Sequence, residues 1–506
     1  MKKRTHQTYA SALLLLLLMQ TAAGCSSDTD PAGEGTVPSD TASAAEAVTE
    51  DNTQAEKEAY FAALPAISAL GTEIMFAAIN VGAEGMAPNE ISTEEENGAK
   101  MNDAVYHREL EIEERLGVSI ACTPFEDSDA LSSAFNNSVL SGEGIFDVVS
   151  AKRTLIPGAF SNGYLQDMGT IPHLQTDKEW WNQSANEAFT LSGVQIAAIS
   201  ALNHYANQVA WYVMFNKTLF DNFDLEYPYQ TVRDGNWTLD VLHELVKTVP
   251  TDSNGDGVID HTDMFGCINE SFDAIALTQS FGCDIMAMNS EGIPELVLDK
   301  EQNLNRLAAI TAFFNDKAHV MVCEDYSGSV EGSVYAMRTN KFINGEGLFM
   351  FNCPANIYKF ADMDHDYGIL PLPKYDAAQD GYYTLTSNAH TTLLAVPRVH
   401  GADDSDIGIV VDAMSYLSYA DVEPMYAETY LENRYLRDED SVEMLNIVIQ
   451  NKTYDAAFLL NYGKANSLPQ ECSSGRGDNI ASTIESKRKG VEKEVQKALA
   501  AADEMK

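Results

Sequence analysis

The stretch Ile74-Met75-Phe76-Ala77-Ala78-Ile79 is a continuous apolar run with the length of a β-strand. Residues 101–116 follow it with apolar side chains at helical spacing, and Gly117 supplies a stop for that helix. Residues 118–122 then form a second apolar run. An apolar strand, a helix and another apolar strand in succession predict a βαβ unit, in which helices cover both faces of parallel strands.

The same alternation continues toward the C-terminus. Further strands are predicted over 146–149, 194–201 and 209–215, and further helices over 127–140, 216–223 and 238–249. Thr238 is placed to cap the last of these helices. The predicted fold class is therefore α/β.

The N-terminus has the pattern of an export signal. Lys2-Lys3-Arg4 is followed by an apolar run over 13–19 and by small residues up to Gly24-Cys25. The apolar core is too short to cross about 30 Å of hydrocarbon. The small residues before Cys25 resemble the bacterial lipoprotein signal, in which the cysteine is lipidated. We therefore expect 1–25 to be a lipoprotein signal peptide with its lipidation cysteine; the alternative is an ordinary cleaved signal with an incidental Cys25.

Residues 26–56 have the composition of a spacer. They contain eight acidic residues, no basic residue, and mostly Ser, Thr, Ala, Gly and Pro otherwise. Such a segment cannot bury enough apolar surface to fold, so it is predicted to be a disordered acidic linker. The globular part then begins near Lys57 and has about 450 residues, which suggests two or three hydrophobic cores.

The charge of the chain excludes one class of partner. The sequence has 32 Lys and Arg against 76 Asp and Glu, a formal net charge of −44. So acidic a surface repels phosphate backbones and anionic membranes. We expect no nucleic-acid binding, and membrane contact only through the lipid anchor on the outer face of the cell membrane.

The cysteines beyond Cys25 are scattered and contain no C-x-x-C pair. This spacing indicates neither a zinc knuckle nor a redox motif. Cys267 and Cys283 leave two alternatives open, a disulfide formed after export or two buried free thiols.

One motif has its own chemistry. The stretch Asp252-Ser253-Asn254-Gly255-Asp256-Gly257-Val258-Ile259-Asp260-His261-Thr262-Asp263 matches the calcium loop, with oxygen ligands around a tight glycine turn. Its twelfth position is Asp263 rather than the usual glutamate. Because the loop joins two predicted helical stretches, we expect a structural Ca²⁺ ion; the alternative is an acidic turn without metal. The predicted ligands are Asp252, Asn254, Asp256, Val258, Asp260 and Asp263.

Several blocks together resemble a known family. The run Val213-Met214-Phe215-Asn216-Lys217-Thr218-Leu219-Phe220 and the later pair Trp237-Thr238 are similar to the extracellular solute-binding proteins, family 1 type, of ABC sugar importers. The resemblance covers about 57–463. Further blocks in matching order are Asn102-Asp103-Ala104-Val105-Tyr106, Gly163-Tyr164-Leu165-Gln166-Asp167-Met168, Tyr227-Pro228-Tyr229, Gly235-Asn236 and Gly368-Ile369-Leu370-Pro371-Leu372-Pro373-Lys374.

The resemblance implies a two-lobed periplasmic-binding-protein-like fold with an interlobe cleft and hinge crossings. By the order of elements, lobe one would be 57–205 plus 346–385, and lobe two 206–345 plus 386–506. A hinge would include 202–207. The function implied is that of a lipid-anchored, monomeric binding protein that delivers a carbohydrate to ABC permease subunits without catalysing a reaction.

The ligand would then be a mono- or oligosaccharide. Sugar hydroxyls need hydrogen-bond partners and sugar C–H faces lie on aromatic rings, so a cleft for them combines Trp or Tyr with polar side chains. Trp237 is assigned to helix packing, and for each other aromatic the alternative is packing in the core. The candidates in loops after predicted strands or at the crossings are Trp180, Trp181, Asn203, Tyr205, Trp211, Asn352, Tyr382, Tyr383 and Asn388.

Two other functions remain alternatives. The sequence has no H-E-x-x-H, G-x-S-x-G or G-x-x-x-x-G-K-[ST] motif, so the commoner hydrolase and nucleotide-binding signatures are absent. A pair of catalytic carboxylates among 76 acidic residues is compatible with a secreted calcium-containing glycoside hydrolase or lyase. A non-transporting surface adhesion module is the third hypothesis.

Overall fold

The computed structural model describes residues 54–80, 89–250, 252–432, 435–474 and 479–506. The predicted signal peptide, Cys25 and the linker up to residue 53 lie outside the described residues. The chain divides between Glu58 and Ala59, and every element from β1 onward belongs to the unit 59–506.

The fold is α/β, as predicted. In chain order the strands are β1 Glu73–Ile79, β2 Ser119–Phe125, β3 Val148–Lys152, β4 Thr190–Leu191, β5 Val194–Gln195, β6 Tyr212–Asn216, β7 Phe265–Asn269, β8 Met286–Met288, β9 Pro294–Leu296, β10 Val320–Val322, β11 Gly347–Asn352, β12 Tyr367–Leu370, β13 Thr384–Leu385, β14 Thr392–Ala395 and β15 Lys452–Thr453.

The helices cover the sheets. The described part of the first helix, α1, is 54–63. The others are α2 Lys100–Leu116, α3 Ser128–Ser141, α4 Ile156–Ser161, α5 Gln183–Ala188, α6 Tyr205–Gln208, α7 Lys217–Asn222, α8 Tyr229–Arg233, α9 Leu239–Val246, α10 Asp273–Ser280, α11 Glu301–Phe314, α12 Val334–Ile343, α13 Asp404–Leu417, α14 Glu423–Glu432, α15 Glu439–Gln450, α16 Ala457–Leu460, α17 Leu468–Ser474 and α18 Ile480–Met505.

The first large sheet has the strand order β14-β3-β1-β2. β1 is parallel to both β2 and β3, and β14 is antiparallel to β3. The apolar run that opened the sequence is buried on both faces: Phe76 packs in one core with Ile112 of α2, and Ala77 packs in another with Phe135 of α3. Burial on both faces explains why this strand is apolar throughout rather than alternating.

The second large sheet has the order β10-β7-β11-β6-β12. β7 is parallel to β10 and to β11, whereas β6 is antiparallel to both β11 and β12. One continuous core surrounds this sheet and includes Trp237, whose indole N–H donates to the Pro371 carbonyl oxygen at 2.9 Å. We refer to the bodies around the first and second sheets as lobe one and lobe two.

The strand pairing differs from the predicted lobe boundaries. We expected 346–385 in lobe one and 386 onward in lobe two. Instead β11 and β12 pair with β6 in lobe two, and β14 pairs with β3 in lobe one. All three strands are buried apolar segments that fit either sheet, so their local pattern does not specify the partner.

Several segments connect the lobes. The first crossing, 203–211, leads from lobe one into β6, and the second, 386–391, leads from lobe two into β14. Their backbones touch: Ala210 and Thr386 form an antiparallel bridge, and the Ser387 N–H donates to the Val209 carbonyl oxygen at 2.9 Å. Of the predicted strand 194–201, which precedes the first crossing, only β5 is a regular β-strand.

Within the described ranges, no helix combines the length and the apolar character needed to span a membrane. The described cysteines are free thiols, and both Cys267 and Cys283 are buried. Of the two alternatives for this pair, the structure has the free thiols.

Candidate functional site

In each large sheet, the carboxyl ends of the parallel strands meet on one side of the sheet. In lobe one, β3 ends at Lys152, and β14 begins opposite it at Thr392. In lobe two, β7 and β11 end at Asn269 and Asn352, and β6 begins opposite Asn352. We call these edge one and edge two. Because the crossings 203–211 and 386–391 run directly into these edges, the edges lie on either side of the connecting segments, which is where open α/β sheets bind ligands.

Trp211 joins the first crossing to edge two. Its indole N–H donates to Oδ1 of Asp273 at 2.8 Å, and its ring packs against Phe272 with the centroids 4.9 Å apart. Asp273 is fully buried and also accepts the Glu270 N–H at 2.9 Å. Burial raises the pKa of Asp273 to about 7, and the charge of Arg338 opposes that rise. The Trp211 ring is thus held in one orientation at the edge.

Arg338 neutralises part of edge two. Its guanidinium is buried, with nitrogens 3.6 Å from Oε2 of Glu270 and 3.7 Å from Oδ2 of Asp273, and it donates to the Phe351 carbonyl oxygen. A buried arginine is tolerated when its charge is paired with carboxylates, as it is here. The positive charge of Arg338 is therefore already paired within the protein.

A cavity of about 640 Å³ opens beside edge two. Glu324 stands at its rim, accepts the Ser271 hydroxyl at 2.8 Å and accepts the hydroxyl of Tyr335 at 3.4 Å. Tyr335 is 51% exposed. The volume is in the usual range for small-molecule sites. Polar groups around the cavity come from Ser271, Asn315, Lys317, Glu324, Asp325, Gln470, Glu471, Ser473 and Ser474.

Edge one is basic where edge two is acidic. Lys152 is the last residue of the buried strand β3 and Arg153 follows it, and both side chains are half-buried. The Arg153 Nε–H donates to the Asn388 carbonyl oxygen at 3.2 Å, which ties this side chain to the second crossing. His390 is in the same segment and its pKa is lowered by burial and by the charge of Lys152.

Glu90 anchors the first crossing beneath edge one. Its carboxylate accepts the Tyr205 N–H at 2.8 Å and the Ser150 hydroxyl at 3.3 Å, and the side chain is almost fully buried. Burial raises the pKa of Glu90 to about 7. Arg108 donates to the Glu90 main-chain oxygen at 2.8 Å and opposes that rise. This carboxyl group holds the crossing against β3 and serves a structural role.

Five of the nine predicted ligand residues lie at the crossings or edges, namely Asn203, Tyr205, Trp211, Asn352 and Asn388. Two of their amides are used internally: Nδ2 of Asn203 donates to the Thr392 hydroxyl at 3.2 Å, and Nδ2 of Asn352 lies 3.2 Å from the Met214 sulfur. Burial raises the pKa of Tyr205 to about 12. That these five residues contact a ligand stays a prediction.

The other four predicted residues have protein partners away from the strand ends. Trp180 and Trp181 are buried, and both indole N–H groups donate to Oδ1 of Asp412, at 3.1 and 2.8 Å. The Tyr382 hydroxyl donates to the Val232 carbonyl oxygen at 3.0 Å, and that of Tyr383 donates to Asp380 at 2.6 Å. The structure therefore does not bring these four together with Trp211.

The two buried tryptophans line a different space. A cavity of about 370 Å³ has Trp180 and Trp181 in its wall together with Tyr419, Glu423 and Lys452. None of its lining residues belongs to the strand ends of edge one or edge two.

The charged residues of both edges were not among the predicted site residues. Lys152 ends one buried strand and Arg153 follows it, and Glu270 follows another strand. A charged residue directly after an apolar strand is a usable signal, because carboxyl ends of parallel strands meet at one edge. Arg338 and Tyr335 lie on α12 and carry no comparable local signal.

The predicted calcium loop lies between helix α9 and strand β7. The expectation of two flanking helical stretches is therefore wrong, because the apolar segment after the loop pairs with β10 and β11. Asp263 is fully buried and its carboxylate accepts N–H groups of Asn254 at 3.3 Å and Asp260 at 3.0 Å. The loop thus wraps around its own last carboxylate.

Other oxygens of the loop also turn inward. Oδ2 of Asp252 accepts the Gly257 N–H at 3.1 Å, while its Oδ1 is shielded from solvent and has no hydrogen-bond partner among the residues that the structure describes. Oδ1 of Asp256 accepts the Val258 N–H at 2.8 Å. Among the described residues, no three His, Cys, Asp or Glu side chains stand close enough together to hold a metal ion as the structure has them. A carboxylate oxygen that is shielded from water without a hydrogen-bond donor costs free energy, so the position of this Asp252 oxygen favours a bound cation over a turn without metal.

No protein-family model matches the sequence, and no curated protein matches it either. Solved structures do match. A cyclo/maltodextrin-binding protein in complex with maltotetraose is 13% identical, with a TM-score of 0.54 over 85% of this chain and 98% of that one. A family 1 extracellular solute-binding protein from Bifidobacterium longum subsp. infantis is 13% identical, with a TM-score of 0.52 over 83% and 99%.

A maltose-binding periplasmic protein from Listeria monocytogenes, in complex with maltose, is 12% identical, with a TM-score of 0.52 over 84% of this chain and 98% of that one. The chain has the two-lobed fold of these binding proteins. The fold implied by the sequence resemblance is thereby confirmed. Edge one and edge two border the two crossings that join the lobes of this fold.

Proposed function

We propose that the protein is an extracellular substrate-binding protein that captures a carbohydrate in the interlobe cleft and passes it to the permease subunits of an ABC importer. The observation that carries this proposal is the composition of edge two. The Trp211 ring is held at this edge by the Asp273 carboxylate, and carboxylates and amides line a cavity of about 640 Å³ beside the edge. Rings for C–H faces and acceptors for hydroxyls are what a saccharide needs.

The comparisons support the same class of ligand. The maltodextrin-binding protein and the Listeria protein share this fold and contain maltotetraose and maltose in their structures. Binding proteins of this kind release their ligand unchanged, so we propose capture without turnover.

A saccharide screen tests the proposal. Neutral and acidic mono- and oligosaccharides should include ligands that raise the melting temperature and change tryptophan fluorescence, while Trp211→Ala lowers the affinity for them by about 10-fold or more because a stacking surface is lost. Trp180→Phe serves as the matched control, since Trp180 lies away from the edges. Stabilisation by peptides or polyamines and by no saccharide would overturn the assignment, and product formation would establish an enzyme instead.

The proposal includes a lipid anchor at Cys25, supported by the small residues before that cysteine and the acidic spacer after it. The native protein should fractionate with membranes, and Cys25→Ala should release it. Recovery of the unaltered protein entirely from the medium would contradict the anchor. We also propose that the protein works as a monomer.

A structural Ca²⁺ ion in the loop of lobe two is a further part of the proposal. Asp252, Asp256, Asp260 and Asp263 would supply carboxylate oxygens, Asn254 an amide oxygen and Val258 a main-chain oxygen. Calcium would neutralise acids that otherwise crowd one turn in a chain of net charge −44.

A further inference from the structure

Two basic side chains of edge one have no acidic partner. Lys152 and Arg153 are half-buried, and no carboxylate of the described residues pairs with either of them. Acidic residues outnumber basic ones by 76 to 32 in this chain, so an acidic neighbour is the ordinary expectation for any cation. Lys152 and Arg153 lack such an acidic neighbour, and this lack requires a physical explanation.

The two side chains belong to a single cluster. Lys152 ends β3 opposite Thr392, so it lies beside the end of the second crossing. Arg153 is tied to that crossing by its hydrogen bond to the Asn388 carbonyl oxygen. His390 lies close enough to Lys152 for the lysine charge to lower the histidine pKa. We call Lys152 and Arg153 the cationic cluster, and His390 is its neighbour in the second crossing.

At edge two, a cation with only a structural role is paired with acidic side chains. Arg338 at edge two has two carboxylates within 4 Å. The cationic cluster has none, and partial burial without a partner lowers the pKa of Lys152 and of Arg153. Removing like charges from water without compensation costs free energy, which an arriving anion would recover. The cluster is therefore arranged to receive a negative group.

We propose that the cationic cluster binds an oxyanion carried by the ligand, so that the substrate class is an acidic saccharide, one with a carboxylate or a sulfate ester. This inference rests on the proposed function and names its substrate class. Arg153 is suited to pair both oxygens of a carboxylate, whereas Lys152 contributes a point charge. The Trp211 ring and the carboxylates of edge two then serve the uncharged rings and hydroxyls of the same molecule.

A rival explanation is an ion pair between the lobes. In that case Arg153 would meet Glu270 or Glu324 when the cleft closes, and it would strengthen the binding of every ligand alike. The acidic-ligand explanation requires instead that the effect depend on the charge of the ligand. The two are separated by ligands that differ in charge alone.

The test measures calorimetric affinities of the full chain for trigalacturonate, its methyl ester, a sulfated disaccharide and neutral oligosaccharides. At least one acidic probe should bind about 10- to 100-fold more tightly than its uncharged counterpart, which is the range of hydrogen bonds to charged groups. Arg153→Gln and Lys152→Gln should each lower the affinity for the acidic probe about 10-fold more than they lower the affinity for its uncharged counterpart. The preference should also weaken as salt is added.

Arg398→Gln is the matched control. Arg398 is an exposed arginine of lobe one that follows β14 at the opposite end from Lys152, so its loss should change no affinity. Equal affinity for charged and uncharged probes, or equal losses for both in Arg153→Gln, would overturn the inference while the proposed function stands. Failure of every saccharide, acidic or neutral, would overturn the proposed function and the inference together.

Discussion

Asp412→Ala should lower the free energy of unfolding by about 5 kcal/mol, a large share of the stability of an ordinary domain. The Asp412 carboxylate is fully buried and accepts five hydrogen bonds. They come from the Tyr60 hydroxyl at 2.7 Å, the Gln175 N–H and amide at 3.0 and 3.1 Å, and the indoles of Trp180 and Trp181. Each donor left without an acceptor inside the lobe costs about 1–3 kcal/mol.

Urea unfolding followed by tryptophan fluorescence measures this effect. Asp412→Asn, which keeps one acceptor oxygen, should lose less than the alanine variant. Asp406→Ala is the matched control on the same helix: Asp406 is equally buried but accepts hydrogen bonds from Ser68 alone, so we expect a loss of about 2 kcal/mol. An Asp412→Ala protein as stable as Asp406→Ala would contradict the role of Asp412 as the shared acceptor.

Removal of calcium should produce the second large effect. Chelation is expected to lower the melting temperature and added Ca²⁺ to restore it, because an ion bound only to the native state stabilises it by mass action. At a free concentration 100 times the dissociation constant this contributes about 2.7 kcal/mol. The acids of the loop repel one another when the ion is removed, which adds to the loss. Scanning calorimetry in chelator and in millimolar Ca²⁺ measures the shift.

Loop variants identify the site. Asp252→Ala and Asp256→Ala should abolish the response to Ca²⁺. Glu244→Gln is the control, since Glu244 is an exposed acid on the preceding helix whose side chain pairs with Lys247 at 3.0 Å. Identical melting curves with and without chelator, together with silent loop variants, would show that the loop is an acidic turn without metal.

The tryptophans show why local sequence is a poor guide to a binding site. Trp180 and Trp181 lie in a loop after a predicted strand and were expected to contact ligand. Their environment is decided by Asp412, more than 230 residues later, whose carboxylate takes both indole N–H groups. Trp211 is as buried as Trp180 and its indole N–H is taken by the Asp273 carboxylate, yet it lies at the end of a strand. Only the packing of distant helices separates the two cases.

The sequence by itself determined the α/β class, because the period of apolar residues along a segment depends only on that segment. It also determined the residues of the calcium motif and the likeness to two-lobed binding proteins. Tertiary structure alone decided that β11 and β12 belong to lobe two and β14 to lobe one. It also brought Lys152 beside His390, 238 positions away. Such contacts arise from hydrogen-bond pairing between distant strands, and a buried apolar strand carries no local mark of the partner it will pair with.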